Sequence, residues 1–280
     1  MSYRFKKKLS KIFLVYLPLI PILSFILFPF YWCVITAFKP DSEIISRTVT
    51  YFPQDFTFEH FIYAWNNVGF FRYFLNSLFV SVLVLIGCLV LSVLVAYPLT
   101  RFQFKGKRAV SLILLCSQFL PMAMMVIPLF MTFKSMGLID SLFSVVLASL
   151  AFRLPFISLM MLGYMQDVPI EIEESAMIDG CNRMQGLIRV VLPILRPGMI
   201  AVGAFAFIYA WKEYLFTTMF INTPAKMTLS VGLSSMMGEY SIAYGLLAAG
   251  CTIAMVVPIL IFAYFQKFLV QGIASGAVKG

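Results

Sequence analysis

Charged residues are scarce in this chain. Aspartate, glutamate, lysine and arginine make up 12% of its 280 residues, against about 25% in an average soluble domain. So few charges cannot cover a water-facing surface, which excludes an ordinary soluble enzyme. The 61% share of hydrophobic residues also excludes an intrinsically disordered chain. The natural solvent of this sequence is a lipid bilayer.

Residues that commonly carry catalysis or bind cofactors are also few. There is one histidine, His60, so neither a zinc site nor a histidine-based catalytic site is supported. The nucleotide-binding pattern Gly-x-x-x-x-Gly-Lys-Ser/Thr is absent, because the one Gly106-Lys107 pair continues with arginine and lacks the upstream glycine. We therefore expect no cofactor on this chain. The five cysteines fit neither a metal site nor a disulfide framework: Cys33, Cys88, Cys116, Cys181 and Cys251.

Long apolar runs alternate with short polar connections along the whole chain. Each run approaches the roughly 20 residues that cross a bilayer as a helix. We predict an all-α integral membrane protein, with residues 1–11 as the N-terminal segment and a single membrane domain over residues 12–280. The six predicted spans cover residues 12–38, 74–99, 109–133, 141–165, 199–221 and 243–265, and residues 266–280 form a tail.

The basic residues are distributed asymmetrically between the two sets of connections. Fourteen lie in the N-terminal segment, in residues 101–108, in residues 166–198 and in the tail, whereas five lie in the connections of the other set. Connections rich in lysine and arginine stay in the cytoplasm. The bias therefore places both termini in the cytoplasm, as an even number of spans requires.

Small residues mark one face of the second predicted span. Such stripes let membrane helices approach each other closely, so this face is predicted to pack inside a helical bundle. Its members are Ser77, Ser81, Cys88, Ser92 and Ala96.

Residues 166–198 form the most polar connection and read as two short amphipathic helices. Asp167 is placed to cap the first helix, which has Pro169 in its first turn. Gly180 is placed to end that helix in a left-handed conformation. Asn182 is placed to cap the second helix, and Pro193 and Pro197 are expected to end it.

The second of these helices has an apolar stripe that must be buried against something. The stripe follows the i, i+3, i+4, i+7 spacing of one helix face: Met184, Leu187, Ile188, Val191 and Leu192. The burying surface is either the membrane face of this chain or a partner. A plain helical hairpin on the membrane surface also satisfies the pattern.

The order of residues in this segment is more specific than its periodicity. The segment contains Glu174-Ser175-Ala176, then three residues, Gly180, nine residues, and Val190-Val191-Leu192-Pro193. This order and spacing resemble the EAA signature of permease subunits in binding-protein-dependent ABC importers. That signature reads Glu-Ala-Ala, three, Gly, nine, Ile-x-Leu-Pro. Ser175 and Val190 depart from it conservatively.

The resemblance extends over nearly the whole chain. Trp211-Lys212-Glu213-Tyr214-Leu215-Phe216 is similar to the Trp-Asn-Glu-Phe-Leu-Phe of the carbohydrate-uptake branch, with Lys212 in place of asparagine. The segments Pro29–Trp32, Phe38–Pro40, Thr228–Leu233 and Gln266–Gly280 fit the same branch. The chain resembles the shorter, maltose-type permease partner of a heterodimer.

This resemblance implies a fold and a set of partners. The fold is the type I ABC importer permease fold, with six transmembrane helices, cytoplasmic termini and a cytoplasmic coupling helix. The partners are a second permease subunit, two ATPase subunits that bind ATP and magnesium, an extracytoplasmic solute-binding protein, the sugar substrate and membrane lipid, with no nucleic acid. The implied location is the inner or plasma membrane, as a multi-pass protein. The residues implied in ATPase coupling are Glu174, Ser175, Ala176, Asp179, Gly180 and Pro193.

Three polar residues in or near spans are candidates for the substrate pathway: Gln118, Lys212 and Glu213. Ionisable residues within membrane segments are functional candidates by default. Each also has a structural interpretation, since Gln118 could bond a neighbouring helix, and Lys212 and Glu213 could lie at an interface or pair structurally.

Two other functional classes remain as alternatives to a transport subunit driven by a partner ATPase. An ion-coupled carrier would need buried carboxylates in several spans, and only Glu213 comes close. An integral membrane enzyme would need histidine or aspartate residues converging at one membrane face. The sequence identifies neither the sugar nor which of the two permeases binds it.

Overall fold

The computed structural model describes residues 14, 16–238 and 242–277. The burial and contacts of side chains are described up to Gln266. Within these residues there is no β-strand, only an isolated antiparallel bridge between Met237 and Ile242. In chain order the helices are α1 (Leu17–Ala37), α2 (Asp41–Ile44), α3 (Glu59–Asn66), α4 (Phe70–Arg101), α5 (Lys107–Cys116), α6 (Met122–Ser135), α7 (Leu142–Gln166), α8 (Ile170–Ile178), α9 (Arg183–Gly186), α10 (Leu192–Trp211), α11 (Leu215–Phe220), α12 (Leu229–Ser235) and α13 (Tyr244–Ala277).

In the described part of the chain, five apolar helical stretches are long enough to cross a membrane: Leu17–Ala37, Phe70–Arg101, Leu142–Gln166, Arg183–Trp211 and Tyr244–Gln266. A sixth crossing is possible if α5 and α6 count as one bent pair. The chain therefore has the nearly all-helical membrane architecture that its composition predicts.

The third predicted span is not a straight helix. Its two halves meet at an angle of 101°. The break lies at Leu120 and Pro121, whose backbones are both extended. A residue before proline avoids the helical conformation because the proline ring crowds it. The predicted span over residues 109–133 is therefore a bent pair of helices, broken at Leu120 and Pro121.

The fifth predicted span differs at both of its ends. The apolar helical stretch begins at Arg183 and stops at Trp211, after which the separate helix α11 resumes at Leu215. The predicted span 199–221 therefore contains a break at Lys212–Tyr214. The last helix, α13, continues beyond the predicted boundary at residue 265.

The chain divides into two compact units, one from residues 1–70 with 235–255 and one from residues 71–234 with 256–280. The small-residue face of α4 is buried in the second unit, which confirms the predicted packing face. Ser77 on this face accepts a hydrogen bond of 2.8 Å from the backbone amide of Leu229. Close approach of backbones is what small side chains permit in a membrane helix.

The first unit packs around small residues as well. Ala37 of α1 is buried together with Ala248 and Ala249 of α13. Gly245 lies directly against the imidazole ring of His60, where a β-carbon would collide with it. His60 also contacts the carbonyl oxygen of Lys39 at 3.0 Å. His60 is therefore packed inside the first unit, where Gly245 makes room for its ring.

Candidate functional site

The first helix of the polar connection, α8, starts later than the sequence suggested. Its N-cap residue is Pro169, whose backbone is extended and makes no side-chain cap. Asp167 instead closes the preceding helix α7, where its backbone amide bonds the carbonyls of Tyr164 and Met165. The predicted Asp167 cap is wrong because the chain remains helical up to that residue.

The break between the two short helices is as predicted. Gly180 has a φ of +92°, the left-handed conformation that glycine adopts without steric cost. Asn182 caps α9 by a capping box, in which its side chain accepts from the amide of Gln185 at 2.9 Å and its own amide donates back to the Gln185 side chain at 2.9 Å. Both short-range signals in the sequence are therefore confirmed.

The second helix does not end at the prolines. A π-helical turn over Leu187–Val191 joins α9 to α10, and the helix continues to Trp211. A proline ring clashes with the carbonyl four residues earlier, and for Pro193 that carbonyl belongs to Arg189, inside the wider π turn. The turn therefore accommodates Pro193, and membrane helices tolerate a proline such as Pro197. The predicted end at Pro193 and Pro197 is wrong.

The coupling candidates are divided between two sides of α8. Glu174, Ser175, Asp179 and Gly180 are exposed, whereas Ala176 is buried. The Ser175 hydroxyl donates to the carbonyl of its own helix at Glu171 over 2.7 Å.

Large apolar side chains extend this exposed side. Ile178 is 86% exposed, and Met184 and Ile188 from the predicted stripe are also exposed, while Leu187 and Val191 are buried. The stripe is thus only half covered by this chain.

Glu173, the residue before the coupling glutamate, forms a clamp that the sequence interpretation missed. Only 2% of Glu173 is exposed. Its carboxylate pairs with Arg101 at 2.9 Å and accepts a hydrogen bond from the Tyr97 hydroxyl. Arg101 also donates to the carbonyl of Val168 at 3.0 Å. The clamp ties α8 to the last turn of α4.

A signal for this clamp was present in the sequence. Tyr97 and Arg101 are four residues apart at the end of a span, so they share one helix face and present two donors together. Glu173 and Ala176 likewise share the buried face of α8. The pattern identifies a donor pair and an acceptor, but only the tertiary structure shows that they meet.

Glu213 lies in the break between α10 and α11. It is 8% exposed, and its carboxylate accepts from the amides of Phe216 at 2.7 Å and Thr217 at 3.0 Å and from the Thr217 hydroxyl at 2.9 Å. Free amides at a helix start bind carboxylates well. This bonding corresponds to the structural interpretation, in which Glu213 holds the start of α11.

Lys212 lies on the exposed side of the same break, and its ammonium is 5.4 Å from the ring centre of Tyr209. The guanidinium of Arg153, from α7, is 4.5 Å from the same ring. Two cations from distant parts of the sequence therefore converge on one tyrosine.

Gln118 lies at the other break, in the single 3₁₀ turn before Pro121, and it is exposed. No hydrogen bond among the described residues joins it to Lys212 or Glu213. The three pathway candidates thus occupy two of the helix breaks of the second unit, at Pro121 and after Trp211. Within the described ranges, no three His, Cys, Asp or Glu side chains come together as metal ligands.

Asp140 organises the turn between α6 and α7. It adopts a φ of +59° and accepts from the amides of Asn222 at 3.0 Å and Thr223 at 2.8 Å. The Lys226 ammonium lies 2.8 Å from its carboxylate. These donors, Lys226 first, hold the pKa of Asp140 well below its usual range.

The chain that carries these features matches a known family of membrane proteins. The sequence profile of the family described as "Binding-protein-dependent transport system inner membrane component" matches residues 88–275, about two thirds of the chain. The matched range includes residues 166–198 and the breaks at Pro121 and Lys212. The chain belongs to this family of membrane permeases.

Curated relatives cover nearly the full length of the permease. The diacetylchitobiose uptake system permease protein DasC of Streptomyces coelicolor is 36% identical over 91% of this chain and 92% of the relative. The sulfoquinovosyl glycerol transport system permease protein SmoH of Agrobacterium fabrum is 31% identical over 91% of this chain and 89% of the relative.

A solved structure shows the same fold. It is a bacterial ABC transporter involved in the import of the acidic polysaccharide alginate, and it matches with a TM-score of 0.80, 19% identity and coverage of 95% of this chain and 98% of that one. The permease therefore has the type I ABC importer fold and is a multi-pass protein of the inner membrane. Its family role is that of a transport subunit.

Proposed function

We propose that this permease forms half of the translocation pathway of an ATP-driven importer for a sugar or oligosaccharide. The support comes from relatives that align over about nine tenths of the chain. Two are named above, and the arabinooligosaccharides transport system permease protein AraQ of Halalkalibacterium halodurans is 26% identical over 90% of this chain. All three names specify a carbohydrate or a sugar derivative.

The single observation that carries the coupling role is the exposed side of α8 and α9. Glu174, Asp179 and Ile178 face outward on a segment whose opposite side is clamped to α4. An exposed apolar and acidic surface on a rigid support suits a docking contact with another protein. This surface is proposed to bind a separate ATPase subunit, with Glu174 facing basic groups of that subunit.

The proposed transporter contains several further subunits. A second permease supplies the other half of the pathway, two ATPase subunits bind ATP and magnesium, and an extracytoplasmic binding protein delivers the substrate. One fold relative was solved as an alginate ABC transporter in complex with an alginate-bound periplasmic protein, an assembly of the proposed kind.

The structure offers a route for motion from the docking surface to the membrane. Glu173 joins α8 to α4 through Arg101, and the π turn joins α9 to α10 without a break. A displacement of the exposed surface therefore moves two long membrane helices together. Helix α10 ends at the break beside Glu213, and α5 and α6 meet at an angle of 101° beside Pro121.

The proposal is tested by Glu174→Lys in the intact transporter. The substitution reverses the charge of an exposed residue, so the membrane abundance of the permease should stay normal. Truncating half of a desolvated charge contact costs about 2–5 kcal/mol, so co-purification of the ATPase and sugar uptake should both be lost. Glu59→Lys, an exposed acid of α3 outside the docking surface, is the matched control and should change neither.

Three outcomes would contradict the proposal. Uptake near the wild-type level in Glu174→Lys would show that this surface does not couple transport. Uptake that survives ATP depletion but stops when the ion gradient is removed would indicate a carrier. ATP-driven uptake by the purified chain alone in liposomes would show that no partner ATPase is needed.

A further inference from the structure

The two cations at Tyr209 are the feature of the second unit that the coupling function does not use. Arg153 and Lys212 approach the ring at 4.5 and 5.4 Å. Phe156 meets the same ring edge-on, with the two ring centres 6.4 Å apart. The group combines two positive charges with two aromatic surfaces, and both aromatic rings are partly exposed.

The charges of the two cations are only partly balanced within the described part of the chain. Among the described residues, no carboxylate lies within 4.0 Å of Arg153 or Lys212 to form an ion pair. The carboxylate of Glu213 interacts with Arg153 electrostatically, but both of its oxygens are bonded to the start of α11. One positive charge is therefore in excess, and Lys212 carries it at an exposed position.

Positively charged side chains within membrane segments cost free energy, and they commonly mark binding sites or pathways for substrates and ions. A cation–π contact offsets part of this cost. One cation is enough for such a contact, so it does not explain why a second cation lies at the same ring. A bound anion would satisfy both, because a carboxylate, sulfonate or phosphate accepts charge-assisted hydrogen bonds from guanidinium and ammonium groups. The exposed ring of Phe156 offers apolar contact to the ring of a sugar.

We propose that Arg153, Tyr209 and Lys212 form a subsite for the anionic group of an acidic sugar. The substrate class of the importer is then an acidic rather than a neutral saccharide. This inference rests on the proposed sugar-import function and narrows it. Lys212 and Arg153 attract the anion, while Tyr209 holds the two cations in place beside the sugar ring.

The test uses the intact transporter, purified through a tag on this permease together with its subunits and without the binding protein. Calorimetry measures binding of digalacturonate and of its neutral methyl ester, which have the same ring geometry. We expect digalacturonate to bind at least tenfold more tightly, with the difference shrinking as salt is added. Glucose 6-phosphate against glucose, and sulfoquinovose against glucose, determine which anion is preferred.

Variants assign the effect to this subsite. Lys212→Asn removes the excess charge and should weaken digalacturonate binding about tenfold while leaving the methyl ester unchanged. Lys212→Arg should retain the preference for the acid. Lys134→Asn makes the same charge change on the exposed side of α6 and should have no effect. If Lys212→Asn lowers the unfolding temperature, Lys212→Gln provides the same comparison.

The outcomes separate this inference from the function on which it rests. Equal binding of digalacturonate and its ester, or binding of neither, overturns the acidic-sugar subsite. An unchanged preference in Lys212→Asn also overturns it. Sugar uptake by cells carrying the intact transporter is measured in parallel, and persistence of that uptake leaves the import function standing. Loss of ATP-driven uptake for every sugar tested would contradict both the acidic-sugar subsite and the proposed import function.

Discussion

At the scale of single residues, Glu173 and Glu174 show how neighbours in a helix diverge. Successive residues of an α-helix point about 100° apart, so one carboxylate faces inward and the other outward. Glu173 is buried against Arg101 and Tyr97, and Glu174 is exposed. The sequence signature identifies the outward glutamate. Its inward neighbour is what holds the coupling segment on the membrane domain.

Glu173→Gln should destabilise the permease because it leaves Arg101 buried without a counter-charge. Breaking a buried ion pair by removing one partner costs about 3–5 kcal/mol. The unfolding temperature of the purified transporter and ATPase co-purification should both fall. Glu174→Gln is the matched control for the unfolding temperature alone, because an exposed substitution of this kind changes stability by about 0.5 kcal/mol or less. Equal stability of the two variants would show that the clamp contributes nothing.

Asp140 is the second residue whose environment leads to a prediction. Its carboxylate pKa is lower in the folded chain than in the unfolded chain, chiefly because of Lys226. A depressed folded pKa stabilises the fold above the unfolded value, near 3.9, and this stabilisation is lost as pH falls through the folded pKa. Asp140→Asn keeps the shape of the side chain, and asparagine tolerates the left-handed backbone conformation at this position.

We therefore expect the wild type to unfold at a higher temperature than Asp140→Asn at pH 7. The gap should persist while the pH stays above the usual aspartate range and should narrow progressively as the pH falls below that range, toward the folded pKa. Unfolding curves of the two proteins between pH 7 and pH 3 measure this. A gap that is the same at both ends of the range would show that the Asp140 charge does not support the turn.

At the scale of elements, the breaks in the helices carry the functional candidates. The bend at Pro121 positions Gln118, the gap after Trp211 positions Lys212 and Glu213, and the break at Gly180 separates α8 from α9. The breaks at Gly180 and Asn182 could be predicted, because a left-handed glycine and a capping box are short-range features. The helix running through Pro193 could not, because it depends on the π turn over Leu187–Val191, and the apolar periodicity gives no sign of such a turn.

Gly180→Leu should uncouple transport without removing the permease from the membrane. A branched side chain at a φ of +92° costs roughly 1 kcal/mol or more in strain, and it would displace α9 relative to α8. We expect normal abundance with loss of ATPase association and sugar uptake.

Gly180→Asn is the matched control for this substitution, because asparagine tolerates the left-handed region. It should retain most of the uptake. Disappearance of Gly180→Leu from the membrane would show that Gly180 supports the membrane bundle and not the coupling contact. Full activity of both variants would show that the left-handed break is dispensable.

At the scale of the whole molecule, the uneven distribution of lysine and arginine predicts the orientation in the membrane. Residues 101–108 and 166–198 and both termini are predicted in the cytoplasm, and residues 39–72 outside. Single cysteines at Ser46 and Met184, two exposed positions, test this in a background without native cysteines. An impermeant thiol reagent applied to intact cells or spheroplasts should label position 46 and spare position 184. The reverse pattern would invert the topology.

The sequence by itself determined that this protein is a helical membrane protein whose most polar connection contains two short helices broken at Gly180. Composition, apolar run length and the glycine and asparagine signals are local properties, and they are readable without contacts. Only the tertiary structure decided that Glu173 binds Arg101 and that Arg153 shares Tyr209 with Lys212. Those pairings depend on which helix faces meet, because burial and charge compensation are set by packing between segments far apart in the chain.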